Sequence, residues 1–299
     1  MKTRIVIGVL GVAILIISAG LLHKGVYGLT LFVLIPVLIG AVAPAWANSK
    51  TAWSAAGVGI LANLVASLFL LALGAEGLIC VVMAWPLVLP LGALGGALSY
   101  WAQHRALQTQ AGAMLLILPI GSLGWDFNAR PPVFEVRSSI EIDAPPEQVW
   151  KHVVTFSELE EPHEWFFQAG LAYPKRARIE GTGPGAIRYC EFSTGPFVEP
   201  IEVWDEPQLL RFRVTENPAP MHEWSPYAQV LPKHLHGYLV SKQGQFRLTP
   251  LSNNRTLLEG TTWYQHGLWP AHYWRWWSDA IIHRIHMRVL SHIRALSEG

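Results

Sequence analysis

The side chains with the clearest chemical potential are an acid and two histidines in the C-terminal half. Glu199 sits in Phe197-Val198-Glu199-Pro200-Ile201, apolar on both sides. A carboxyl turned inward there loses hydration, which raises its pKa toward the range of a general acid. His234 and His236 flank Leu235, so on a strand both rings share a face. Glu199, His234 and His236 are therefore the candidate catalytic groups, with Glu259 a further acid. Arg188 and Arg247 are cations on neighbouring strand-like runs and could pair with Glu199.

Nine of the fourteen tryptophans follow residue 126, enough to line an apolar site in this half. The candidate ligand-binding residues are Tyr189, Glu199, His234, Trp263, Tyr264 and Trp277. Strand alternation opposes one part of that set, because consecutive Trp263 and Tyr264 point to opposite faces. An irregularity where Gln265-His266-Gly267 leaves the strand is expected to turn both inward. Ten of the twelve histidines also lie in this half, but no HExxH or paired-cysteine spacing accompanies them. Neither a metal nor another cofactor is expected. The two cysteines, Cys80 and Cys190, lie in different halves, so no internal bridge is expected. No Ser-His-Asp set, phosphate loop or dinucleotide fingerprint stands out, and Gly181-Thr182-Gly183-Pro184-Gly185 reads as a turn.

The elements that must hold these residues divide sharply by charge. Residues 1–125 carry six charged side chains: Lys2, Arg4, Lys24, Lys50, Glu76 and Arg105. The remaining 37 charges lie in residues 126–299 and sum to about −3. A purely soluble and a purely membrane-embedded protein are both excluded, and a slightly acidic polar half argues against a nucleic-acid partner. Apolar runs at Ile5–Leu22, Val26–Trp46, Trp53–Leu73 and Leu78–Trp101 approach the 20 or so residues that cross a bilayer as a helix. A weaker fifth run, Ala111–Trp125, reaches full length only if it starts at Ala106. The positive-inside rule puts the N-terminus in the cytoplasm, so five spans place the polar half outside and four place it inside. The expected location is the bacterial cytoplasmic membrane, with the polar half extracytoplasmic. Asn63 lies at mid-depth and is expected to bond between helices, and Gly92, Gly95 and Gly96 predict close helix packing.

Asp126–Val133 reads as a linker, and Phe134–Ile142 as a strand. Asp143-Ala144-Pro145-Pro146-Glu147 predicts a helix start with Asp143 as cap, and a second helix is expected over Ser157–Gln168. Short strand-like runs separated by turn residues follow, interrupted by a loop-like insertion, Glu216–His236. A long amphipathic helix closes the chain, with Trp277, Ile281, Ile285, Val289 and Ile293 as its core stripe. Its His283, His286 and His292 read as polar-face residues.

The run Ser139-Ile140-Glu141-Ile142-Asp143-Ala144-Pro145-Pro146-Glu147-Gln148-Val149-Trp150 resembles the opening of the START-like superfamily, also called SRPBCC or polyketide cyclase/dehydrase-like. Gly244-Gln245-Phe246-Arg247-Leu248 and Thr256–Tyr264 resemble its closing strands. The resemblance covers roughly residues 134–297 and implies a helix-grip fold, an antiparallel sheet wrapped around a long C-terminal helix. The expected architecture is an α-helical transmembrane bundle (1–125), a linker (126–133) and an α+β START-like domain (134–299). The resemblance implies membrane-anchored binding of a lipid or other hydrophobic small molecule. A cyclase- or hydratase-type enzyme using a buried carboxylate or histidine is the alternative, and a ligand-free protein-interaction module is the third reading.

Overall fold

A computed structural model describes residues 2–104, 118, 121–225, 227 and 232–299, with the side chains of 2–7 left aside. The chain forms two compact units. The first comprises Met1–Arg130 together with Glu223–His234 and Gly267–Pro270; the second comprises Pro131–His222, Leu235–His266 and Ala271–Gly299. Most of the weak fifth run, 106–117 and 119–120, lies outside the described residues, as does 105.

The first unit contains α1 (Lys2–Lys24), α2 (Ile35–Ala47, extended N-terminally by a π turn at Thr30–Leu34), α3 (Ala52–Ala72) and α4 (Leu78–His104). Among the described residues, three helices, Thr30–Ala47, Ala52–Ala72 and Leu78–His104, are long and apolar enough to cross a membrane, and Gly8–Lys24 forms a shorter apolar helix. Their outward faces are apolar as well: Leu61, Val65 and Phe69 on α3 and Leu94 and Leu98 on α4 are exposed. A helix apolar all round needs an apolar surrounding. Where lipid is that surrounding, burial gives no hydrophobic gain between helices, so association depends on close packing.

Small residues provide that packing. A Cβ on Gly40 would lie 2.1 Å from the Gly92 carbonyl oxygen, and one on Gly95 would lie 2.1 Å from that of Val37. Asn63 is buried, and its amide donates to the Pro36 and Gly59 carbonyls at 3.0 Å each, tying α3 to α2 as expected. Residues 121–128 are helical. Asp126 accepts from the backbone N–H groups of Leu29 and Thr30 at 2.7 and 2.9 Å.

The second unit is a seven-stranded antiparallel sheet in the order β1-β7-β6-β5-β4-β3-β2. The strands are β1 (Val133–Ile142), β2 (Pro174–Glu180), β3 (Ile187–Phe192), β4 (Gly195–Asp205), β5 (Leu209–Arg213), β6 (Leu239–Leu251) and β7 (Arg255–His266). Between β1 and β2 run α5 (Pro146–Val154) and a single turn, α6 (Trp165–Gln168); α7 (Ala271–Glu298) closes the chain. This is the helix-grip arrangement. The expected helix over 157–168 shortens to α6, because Phe156 and Leu159 hydrogen-bond to the β2 backbone instead. The cap of α5 is Pro145 rather than Asp143, with no side-chain cap bond.

Ile142, Val149, Trp150, Val153, Leu210, Leu248, Leu258, Leu290 and Ile293 form the centre of the core. The inner edge of α7 differs from the expected stripe. Trp274, Ser278 and Ile282 are buried, whereas Trp277, Ile281 and Ile285 are only half-buried. Val289 and Ile293 keep their expected places. The helix is rotated by about one residue because its N-terminal half packs against polar inner-face residues of β1 and β7 rather than against aliphatic ones.

Candidate functional site

Two polar groups interrupt the apolar inner face of the sheet. The first lies on β3 and β4. Arg188 and Glu199 are directly opposite in the register, and the guanidinium donates to the carboxylate. Both are buried, so Glu199 does point inward, as its apolar neighbours predict. Arg188 also donates to the Val154 carbonyl at the end of α5, at 3.2 Å, and lies among the rings of Phe156, Phe212 and Phe246. Gly244 makes room for one of these rings, since a Cβ there would meet Phe212 at 2.6 Å. Burial pushes the Glu199 carboxyl up, against the opposing pull of the Arg188 charge. Burial also pushes the neighbouring Cys190 thiol up to about 12, which leaves it an inert thiol. Arg247, the other proposed partner, is exposed on the outer face, opposite Glu259.

The second polar group lines α7. Tyr264 is fully buried on β7, and its hydroxyl donates to Asp279 Oδ1 at 2.5 Å. Arg275 pairs with the other oxygen of Asp279 at 3.0 Å and stacks over Phe134. Burial, then the Asp279 carboxylate, push the Tyr264 hydroxyl well above its ordinary pKa, so it remains a donor. One to two helical turns further along α7, Thr262 Oγ lies 2.8 Å from His286 Nε2, and Ser138 Oγ lies 3.2 Å from His286 Nδ1 and 2.7 Å from His283 Nδ1. Burial, with His283 adding a smaller effect, pushes His286 down to about 4. His286 is therefore a neutral imidazole with one donor and one acceptor nitrogen, not the polar-face residue expected.

The other predicted site residues are dispersed. Trp263 faces the opposite way from Tyr264, and its indole donates to Glu135 at 3.0 Å. The β1–β7 register runs unbroken from Val133↔Gln265 to Ile142↔Thr256, so no bulge turns both rings inward; the shift lies across from them, at Ser241/Gln243 of β6. Tyr189 alternates with buried Arg188 and Cys190, and its ring stacks under Arg178 at 3.9 Å on the outer side. Trp277 is half-buried on α7. His234 and His236 do not share a face, because Lys233–Leu235 is a 3₁₀ turn rather than a strand; His234 is buried and His236 exposed. His234 belongs to the first unit, whereas Glu199 and Tyr264 belong to the second. Sequence reasoning misses Asp279, Ser138 and Thr262, and reads His286 only as a polar-face residue. The available signal was His286 four residues after Ile282, on the line that continues to Leu290 and Ile293.

An antiparallel sheet gripping a long C-terminal helix, with a short helix after its first strand, defines a START-like fold. Residues 133–262 match the family described as polyketide cyclase/dehydrase and lipid transport, so the second unit carries a domain of this SRPBCC type, joined to apolar N-terminal helices. The search of curated proteins finds no match. Among solved structures, the chain is similar to the Zhui aromatase/cyclase from Streptomyces sp. R1128, at 15% identity over 56% of this chain and 94% of that one, TM-score 0.34. It is also similar to norcoclaurine synthase from Thalictrum flavum in complex with dopamine and hydroxybenzaldehyde, at 12% identity over 56% and 87%, TM-score 0.36. A third is the Aha1 dimer from Colwellia psychrerythraea, at 14% identity over 56% and 98%, TM-score 0.33.

Proposed function

We propose that the chain is an integral membrane protein whose second unit binds a lipid or other apolar molecule between the inner face of its sheet and α7. One observation carries this reading. The inner face is apolar except for fixed polar stations, and those along α7 can hold the polar end of an amphiphile. Tyr264, Asp279 and Arg275 offer one set of hydrogen-bonding groups, and Ser138, Thr262 and His286 offer another. The family description, which includes lipid transport, supports the same class of ligand. The apolar helices would keep the binding domain at its source of ligand.

Glu199 is better suited to a structural role than to acid–base work, since Arg188 already occupies its carboxylate. Native mass spectrometry of the full chain, released from detergent in the spectrometer, tests the proposal. A lipid-sized adduct that is retained in Glu199→Gln and weakened in Tyr264→Phe is the expected result. A bare chain under conditions that preserve adducts on other lipid carriers would overturn it.

A further inference from the structure

We propose that Cys80, Glu223 and His234 form a divalent-cation site of the zinc type within the first unit. The three donors come from separated stretches of chain: the first turn of α4, and both ends of the 223–234 segment that packs with the same unit. Their ligand atoms all lie within 4.8 Å of one another, and Cys80 Sγ is 2.8 Å from His234 Nε2. A single ion bonded at about 2.0–2.3 Å to each donor spans such a group.

The surroundings hold each donor in place. Glu223 accepts from the backbone N–H groups of Ile79 and Cys80 at 3.1 and 3.2 Å, across the open start of α4. Gly77 is required for this approach, because a Cβ there would lie 2.1 Å from Glu223 Oε2. On the far side of the imidazole, His234 Nδ1 lies 3.5 Å from Glu76 Oε2. Glu76 is itself fixed by the Tyr27 hydroxyl, which donates to Oε1 at 2.7 Å, and the Tyr27 ring meets His234 edge-on at 4.7 Å. Tyr27, Glu76 and His234 are all buried. A carboxylate behind a histidine is the arrangement that orients a metal-bound imidazole and leaves its other nitrogen for the ion.

The donor set also selects the ion. A thiolate with an imidazole disfavours magnesium and calcium, and one thiolate with one carboxylate balances a double positive charge. Three protein ligands leave a fourth position for water or an incoming ligand. The sequence carries no metal signature because no two of the donors are neighbours in it.

The test uses the full chain in detergent, stripped with chelator and reloaded with zinc or, separately, cobalt. The expected result is stoichiometric zinc by elemental mass spectrometry and a thiolate-to-cobalt charge-transfer band. Glu76→Gln should keep the band and weaken zinc binding roughly 10–100-fold. Cys80→Ser should abolish the band and weaken zinc binding further, while Cys190→Ser changes neither. Zinc well below stoichiometry in the parent, a band that survives Cys80→Ser, or one lost equally in Cys190→Ser would overturn the proposal. Circular dichroism of each variant separates loss of metal from loss of fold, and the conservative Glu76→Gln variant gives an independent reading.

Discussion

The helix crossings of the first unit and the sheet of the second bury polar groups by different means, although the loop-borne Tyr27–Glu76 pair of the first unit is itself satisfied side chain to side chain. Among the apolar helices, Asn63 is satisfied by main-chain carbonyls, and Gly40, Gly59, Gly95 and Gly96 come closest to backbone. In the sheet domain, polar side chains satisfy one another: Arg188 with Glu199, Tyr264 with Asp279, and His286 with Thr262 and Ser138. The glycine contact there is with a side chain, Gly244 against the Phe212 ring. The difference follows from what each unit gains by packing. A sheet and an amphipathic helix gain from removing apolar area from water, and can absorb polar pairs at some cost. Helices that are apolar on every side gain by fitting backbones closely.

The first expected effect tests the backbone fit. Gly95→Val would drive a side chain into the Val37 carbonyl, and backbone cannot give way as a side chain can. A loss of about 3 kcal/mol or more is expected, read as unfolding at lower denaturing-detergent fraction. Gly57→Val, with nothing within 4 Å of its Cβ, should cost close to nothing. Equal loss in both variants would mean that helix composition, not close approach, holds this unit together.

The next effect tests the polar pairing of the sheet domain. Arg188→Met leaves Glu199 buried without its cation and should cost about 3–5 kcal/mol by urea unfolding. Adding Glu199→Leu should restore much of that loss, because the isolated charge rather than the missing pair is the main cost. A double variant no more stable than Arg188→Met alone would assign the loss to the guanidinium's packing among Phe156, Phe212 and Phe246.

The same contrast explains what could be read from sequence. Asn63 and the glycines of α4 were legible because a lone amide and small residues in an apolar run have few other uses. The succession of strands along the chain, α5 and the inward Glu199 were legible from alternation and turn residues, whereas the sheet wrapped on its helix came from the family resemblance. The α7 register was not, since an all-aliphatic stripe and one that includes Ser278 and His286 differ only in what the sheet presents to them. The pairing of His234 with His236 failed because the segment turns as 3₁₀ helix and its first part packs with the apolar unit. No local pattern in the sequence encodes that packing.

The last effect is a pH dependence confined to the sheet domain. In the unfolded chain His286 titrates near 6.5, whereas burial holds it at about 4 in the folded one. Below 6.5 the unfolded chain therefore binds a proton that the folded chain refuses. The stability contribution is complete above pH 6.5, declines as the pH falls through the interval to 4, and is lost below it. The full span amounts to about 3 kcal/mol. The groups that face the ring are Ser138 from β1, Thr262 from β7 and His283 from α7 itself. His286→Gln keeps an amide within reach of the two hydroxyls and removes the titration. Urea unfolding of the full chain in detergent, followed by tryptophan fluorescence from pH 7 to pH 4, should show the parent losing stability faster than the variant. Subtracting the two curves removes the carboxylates and His283, which both proteins share. A difference that stays flat across this interval would mean that His286 takes up its proton while folded. The ring would then reach water, and the inner edge of α7 would be open where the polar network now closes it.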